Sequence, residues 1–108
     1  MSNKNNETII QIKKLTKPIF EKYGVEKAYV FGSYARGDYN ENSDIDIIIV
    51  AKNIKSLLII GAILEALKQV LKKDVDLIEE ECFKEEEMDE IDKEFYDTIK
   101  KERVMIYG

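Results

Sequence analysis

The chain has 108 residues, 44% of them hydrophobic and 36% charged, with a formal net charge of −5. This suits one globular domain around one core, and the acidic balance argues against direct nucleic-acid binding, which needs a basic footprint. Histidine is absent and Cys82 is the only cysteine, which excludes Ser-His and Cys-His nucleophiles, an internal disulfide and a cysteine-rich zinc site. Carboxylates remain as the candidate bases.

Residues 1–6 are polar and predicted to fray; they carry no signal-peptide pattern. Nowhere does an apolar run approach the ~20 residues needed to cross a bilayer. The expectation is a cytoplasmic protein with no membrane association. Over residues 7–23 the positions Ile9, Ile12, Leu15, Ile19, Phe20 and Tyr23 follow helical spacing. Pro18 falls inside this pattern and predicts a kink or a split, and Gly24 predicts the helix end.

A first strand is predicted over 25–31, ending at Gly32-Ser33. Glycine permits a sharp turn and close approach to a ligand. A short helix begun at 33–36 would turn its free N–H groups toward an anion such as a phosphate, with the Ser33 hydroxyl as a further donor. Arg36 reads either as a phosphate contact or as a brace for the loop. Tyr34 and Tyr39 read as surface residues or, less simply, as stacking platforms for a base. Residues 37–43 are turn chemistry, and Ser43 is placed to fix the next carboxylate through a local hydrogen bond.

The second strand, 45–50, is apolar on both faces and therefore expected in the middle of its sheet. Alternation puts Asp44, Asp46, Ile48 and Val50 on one face and Ile45, Ile47 and Ile49 on the other. Two carboxylates side by side at a strand edge repel each other and lose hydration, and a divalent cation is the simplest compensation. A phosphate-cradling turn beside such a pair points to phosphoryl or nucleotidyl transfer.

A helix is predicted over 56–72, striped by Leu57, Ile60, Leu64, Leu67 and Leu71 and widened by Leu58, Ile59, Ile63, Ala66 and Val70. So broad an apolar surface means either a partner or dimer contact or a deeply buried helix. The third strand, 74–78, carries Asp74 beside Lys72 and Lys73, and Asp76 between Val75 and Leu77. Residues 79–87 form an acidic run, read as a solvated loop and the negative first turn of a helix. That helix is striped by Met88, Ile91, Phe95 and Ile99 and ends in Lys100-Lys101. Cys82 is read as a packing residue. Residues 104–107 form an apolar edge strand or tucked end. The order predicts an α/β (α+β) architecture, one mixed sheet covered by helices, in a single domain spanning 1–108.

Gly32-Ser33, ten residues, then Asp44-Ile45-Asp46 resembles the signature of the DNA polymerase β-like nucleotidyltransferase superfamily. The fuller string Gly-Ser-Tyr-Ala-Arg-Gly…Ser-Asp-Ile-Asp resembles its minimal nucleotidyltransferase (MNT) branch, over nearly the whole chain. The resemblance implies a nucleotidyltransferase fold with the active site at one end of the strands. It implies that Gly32 and Ser33 hold the β- and γ-phosphates of a nucleoside triphosphate, ATP by family expectation, with Arg36 as a candidate third contact. It further implies that Asp44 and Asp46 bind two Mg²⁺ ions, and that Asp76, rather than Asp74, shares one of them and serves as base. Its implied partner is a HEPN ribonuclease toxin, adenylylated on a tyrosine by this chain as antitoxin within a hetero-oligomer. The alternatives are an antitoxin that neutralises by contact alone and a stand-alone enzyme for a small alcohol.

Overall fold

A computed structural model describes residues 3–82 and 88–108, the side chains of 3–6 and 82 excepted. The reading of Cys82 as a packing residue and part of the acidic run, 83–87, therefore lie outside the description. Helix α1 spans Asn3–Tyr23 and begins earlier than the apolar pattern alone implies. It runs through Pro18 without a break, so the predicted split does not occur. A proline inside a helix costs about 3 kcal/mol. Ile12, Ile19 and Phe20 are buried around it, and each such side chain contributes about 1.5–3 kcal/mol on burial. Together they outweigh it, while Pro18 itself is exposed. The buried Thr16 hydroxyl donates to the Ile12 carbonyl at 2.7 Å, so no polar atom is stranded there. Gly24, at φ +73°, ends the helix as predicted.

Strand β1 (Lys27–Phe31) leads through helix α2 (Ser33–Arg36) to β2 (Ile45–Val50); helix α3 (Leu57–Leu71) then crosses to β3 (Val75–Glu79). A 3₁₀ turn, Glu80–Cys82, precedes helix α4 (Glu90–Glu102) and strand β4 (Val104–Tyr107). The sheet order is β3-β2-β1-β4, with β2 parallel to β3 and the other pairs antiparallel. As expected, β2 is interior, and residues 104–107 form an edge strand.

The alternation in β2 builds two unlike faces. Ile45, Ile47 and Ile49 join Ala28 and Val30 against Ile12 and Phe20 of α1 and Ile63 and Leu67 of α3. On the opposite face, Ile48 and Val50 meet Tyr29, Phe31 and Ile99 of α4. Helix α3 is capped by Ser56, whose side chain accepts from the Leu58 N–H, and its broad stripe divides. Ile63 and Leu67 are buried, whereas Leu57 and Leu58 are more than four-fifths exposed. Deep burial therefore explains the middle of this helix but not its start. Helix α4 is capped by Asp89, carries acid first and base last, and buries only Ile99 of its predicted stripe; Ile91 and Phe95 face outward.

Candidate active site

The site lies where β1 ends and β2 and β3 begin. In the sheet register Phe31 stands opposite Asp46, and Asp46 opposite Asp76. Asp46 shares its face with Ile48 and Val50, and Asp76 shares the same face with Ile78. Asp44 directly precedes β2, where the Ile45 N–H donates to the Asp74 carbonyl at 3.0 Å. Asp44 and Asp76 are exposed and Asp46 is half-buried.

Gly32 turns the chain beside this row. Its φ of +70° and ψ of −148° belong to a region only glycine occupies comfortably. A Cβ placed there would fall on the Asp46 carboxylate. The turn and the carboxylate are thus in direct apposition, which the spacing in sequence could suggest but not establish. Helix α2 follows at once, with the Ala35 and Arg36 N–H groups donating to the Gly32 carbonyl and Gly37 closing the turn onto the Ser33 carbonyl. As at any helix start, the N–H groups of Ser33 and Tyr34 have no acceptor within the helix. Ser33 is partly exposed at this start.

The charges converge even though the side chains do not form a closed cage. Burial first, then the charge of Asp76, then that of Asp44, push the Asp46 carboxyl above its ordinary range, and Arg36 opposes them. Asp76, not Asp74, is the third-strand carboxylate opposite Asp46 in the register. Among the described residues, no three acidic, Cys or His side chains stand close enough to grip one ion in common. Backbone register and mutual charge bring Asp44, Asp46 and Asp76 together instead.

Three neighbouring residues differ from their sequence reading. Tyr34 is buried and stacks on Tyr39, with ring centroids 4.1 Å apart and planes 7° from parallel, so it is core rather than surface. The Tyr39 hydroxyl meets Thr8 Oγ1 at 2.8 Å, tying the loop to α1. Ser43 Oγ accepts the Asn40 N–H at 2.9 Å, and so orders the loop. Arg36 takes the bracing option, with Nε to Asp38 and Nη1 to Glu102, each at 3.1 Å. Glu102 carried no signal in the sequence, because the pairing spans 66 positions. Neither did the cluster formed by Arg103, Glu80 and Tyr96, in which the Arg103 guanidinium also lies 3.9 Å over the Tyr29 ring.

At one end of a mixed sheet, then, a glycine-led turn stands against hard oxygen donors, a chemistry that suits phosphates and a cation. The nucleotidyltransferase domain family matches residues 12–106, and the chain belongs to that family. A Methanocaldococcus jannaschii chain that bears the provisional name of a protein adenylyltransferase, MJ0435, is 44% identical over 70 residues, covering 65% of this chain and 75% of the relative. A toxin–antitoxin crystal structure with AMP-PNP superposes with a TM-score of 0.67 at 20% identity, over 89% of this chain and 73% of its counterpart. A tri-AMPylated Shewanella oneidensis HEPN toxin in complex with an MNT antitoxin gives 0.55 at 22% identity, over 100% and 73% respectively. These two structures share the nucleotidyltransferase fold with this chain. Among the described residues no helix is long and apolar enough to cross a membrane.

Proposed function

We propose that this chain is a protein adenylyltransferase that acts as an antitoxin, moving AMP from ATP onto a hydroxyl of a HEPN-type toxin, a tyrosine by analogy with its family. The observation that carries the reading is the apposition of Gly32 and the Asp46 carboxylate, with Asp76 opposite in the register. The names of its relatives support the acceptor class. The net charge of −5 favours a protein acceptor over a nucleic acid, and the ATP requirement suits the cytoplasm.

Gly32 and Ser33 would receive the β- and γ-phosphates, with the Ser33 hydroxyl and the N–H groups at the start of α2 as donors. Arg36 would meet the same phosphates from the rim. Asp76, exposed at the start of β3, would accept the proton of the attacking hydroxyl. The acceptor oxygen bonds to the α-phosphorus, the bond to the β-phosphate oxygen breaks, and pyrophosphate leaves with its electron pair. A divalent cation suits this donor set, since burial and two neighbouring carboxylates weigh against ionised Asp46 more than Arg36 offsets. Asp44, Asp46 and Asp76 would hold it once the exposed side chains of Asp44 and Asp76 turn toward Asp46; Mg²⁺, two ions by the family resemblance, would neutralise the triphosphate and polarise its α-phosphate when bound.

The test is the intact mass of the partner. The chain and the product of its neighbouring gene, the candidate toxin, are mixed with ATP and Mg²⁺, and both proteins are weighed. Whole AMP increments on the toxin, absent with Asp46→Asn and with EDTA, are expected. A toxin that binds and silences without gaining mass would replace this reading by neutralisation through contact. Turnover on a small alcohol with no toxin present would replace it by a stand-alone enzyme.

A further inference from the structure

The Arg36 guanidinium joins carboxylates from two different parts of the chain. Nε donates to Asp38 Oδ2, two residues on, and Nη1 to Glu102 Oε2 on the last residue of α4. Arg36 is the last residue of α2 and its N–H donates to the Gly32 carbonyl at 3.0 Å, so the side chain that meets α4 is carried one helical turn from the Gly32 turn. The donors of a guanidinium lie in one rigid plane. Two corners held by two carboxylates therefore fix where the remaining Nη2 edge points. The backbone that carries Glu102 is itself anchored: Ile99 is buried beneath it, and the adjacent Arg103 bonds Glu80 at 2.8 Å and lies on Tyr29. With side-chain exposures of 45% and 31%, the Arg36–Glu102 pair adds little to folding stability. Its consequence is directional.

We infer that Glu102 is a positioning residue: by holding Nη1 it aims the open edge of Arg36 at the triphosphate of a nucleotide seated over Gly32 and Ser33. Helix α4, which otherwise gives the site nothing, thereby sets one of its phosphate contacts. This rests on the nucleotidyl-transfer reading above, and it concerns the nucleotide rather than the acceptor.

The experiment is calorimetric titration of AMP-PNP with Mg²⁺ into the full chain. The variants are Glu102→Ala, Glu102→Gln, Arg36→Ala and the Arg36→Ala/Glu102→Ala double, each with a melting curve. Glu102→Ala is expected to weaken binding ~3–10-fold, the lower part of the range of coupling between contacting residues, with the melting temperature nearly unchanged. Glu102→Gln keeps an acceptor at the same reach and should retain most of the affinity. The double variant should bind no more weakly than Arg36→Ala alone. Unchanged affinity in Glu102→Ala, or an equal further loss in the Arg36→Ala background, overturns the inference alone. A wild-type chain that does not bind AMP-PNP overturns the nucleotidyl-transfer reading with it.

Discussion

The two faces of the sheet are built on different terms. Toward α1 and α3 the contacts are mainly hydrocarbon, centred on Ile47, Ile49, Val30, Phe20, Ile63 and Leu67, all buried. Toward α4 a smaller cluster of Tyr29, Phe31, Ile48, Val50 and Ile99 gives way to carboxylates at one end and to the Glu80–Arg103–Tyr96 cluster. Apolar contact is non-directional and proportional to area, so it supplies stability without requiring exact charges. Polar groups fix geometry but cost desolvation, so a site placed on the thinner face can hold unfavourable charge while the thicker face supports the fold. If so, substitutions on the two faces should separate activity from stability.

The widest separation is expected from Asp46→Asn. Transfer should fall by at least ~10²-fold, the scale of losing one charged group from a preorganised site. Stability measured in EDTA should not fall, because burial and the charges of Asp76 and Asp44 all make ionised Asp46 a burden on the folded state. Denaturant titration beside the mass assay reads both. A variant that transfers normally would dissolve the distinction between the faces.

On the other face, Ile63→Ala empties a fully buried position in α3. It should cost about 2–5 kcal/mol in urea unfolding and leave transfer per folded molecule unchanged. Leu57, six residues earlier and 83% exposed, should tolerate alanine within about 0.5 kcal/mol. Gly32→Ala should act on both quantities. It puts a side chain into a glycine-only conformation, at about 1–3 kcal/mol, and its Cβ displaces the Asp46 carboxylate. Transfer should fall well beyond what the lost stability explains, in the same two assays.

How much of this was legible in the sequence follows the same division. Strand β2 was placed residue for residue, because its run of β-branched apolar residues follows the turn chemistry of 37–43. The span of α3 was nearly as legible, since the apolar stripe predicted 56–72 and the helix runs Leu57–Leu71 with Ser56 as its cap. Gly32, Ser33, Asp44 and Asp46 could be grouped because they are close along the chain, and Asp76 because the family resemblance implies a third carboxylate between apolar residues of a neighbouring strand. Pro18 misled as to a split, since local propensity does not register the packing of Ile12, Ile19 and Phe20 on either side of it. Tyr34 and Tyr39 misled because burial of an aromatic depends on what lies across from it, here each other and Thr8. Glu102 and the Glu80–Arg103 pair were invisible. A charged residue near a helix end looks the same whether it faces solvent or a partner far along the chain.

That last pair offers the smallest and most specific test of the comparison. Burial alone would push the Glu80 carboxyl up, but hydrogen bonds from Arg103 and Tyr96, with the charges of Arg103 and Lys27, outweigh it and hold the group below its ordinary value of 4.5. An acid depressed in the folded state stabilises at pH above its unfolded value and loses that contribution as pH falls through the folded one. The pair is partly exposed, with side-chain exposures of 20% and 25%, so solvent screening limits its worth to about 1 kcal/mol or less. Glu80→Gln should therefore be slightly less stable than wild type near pH 7, and the gap should close as pH drops below 4.5. Urea unfolding across that window measures it. A gap that stays constant with pH would mean that the carboxylate charge does not hold α4, and that Ile99 and the cation–π contact to Tyr29 do so without it.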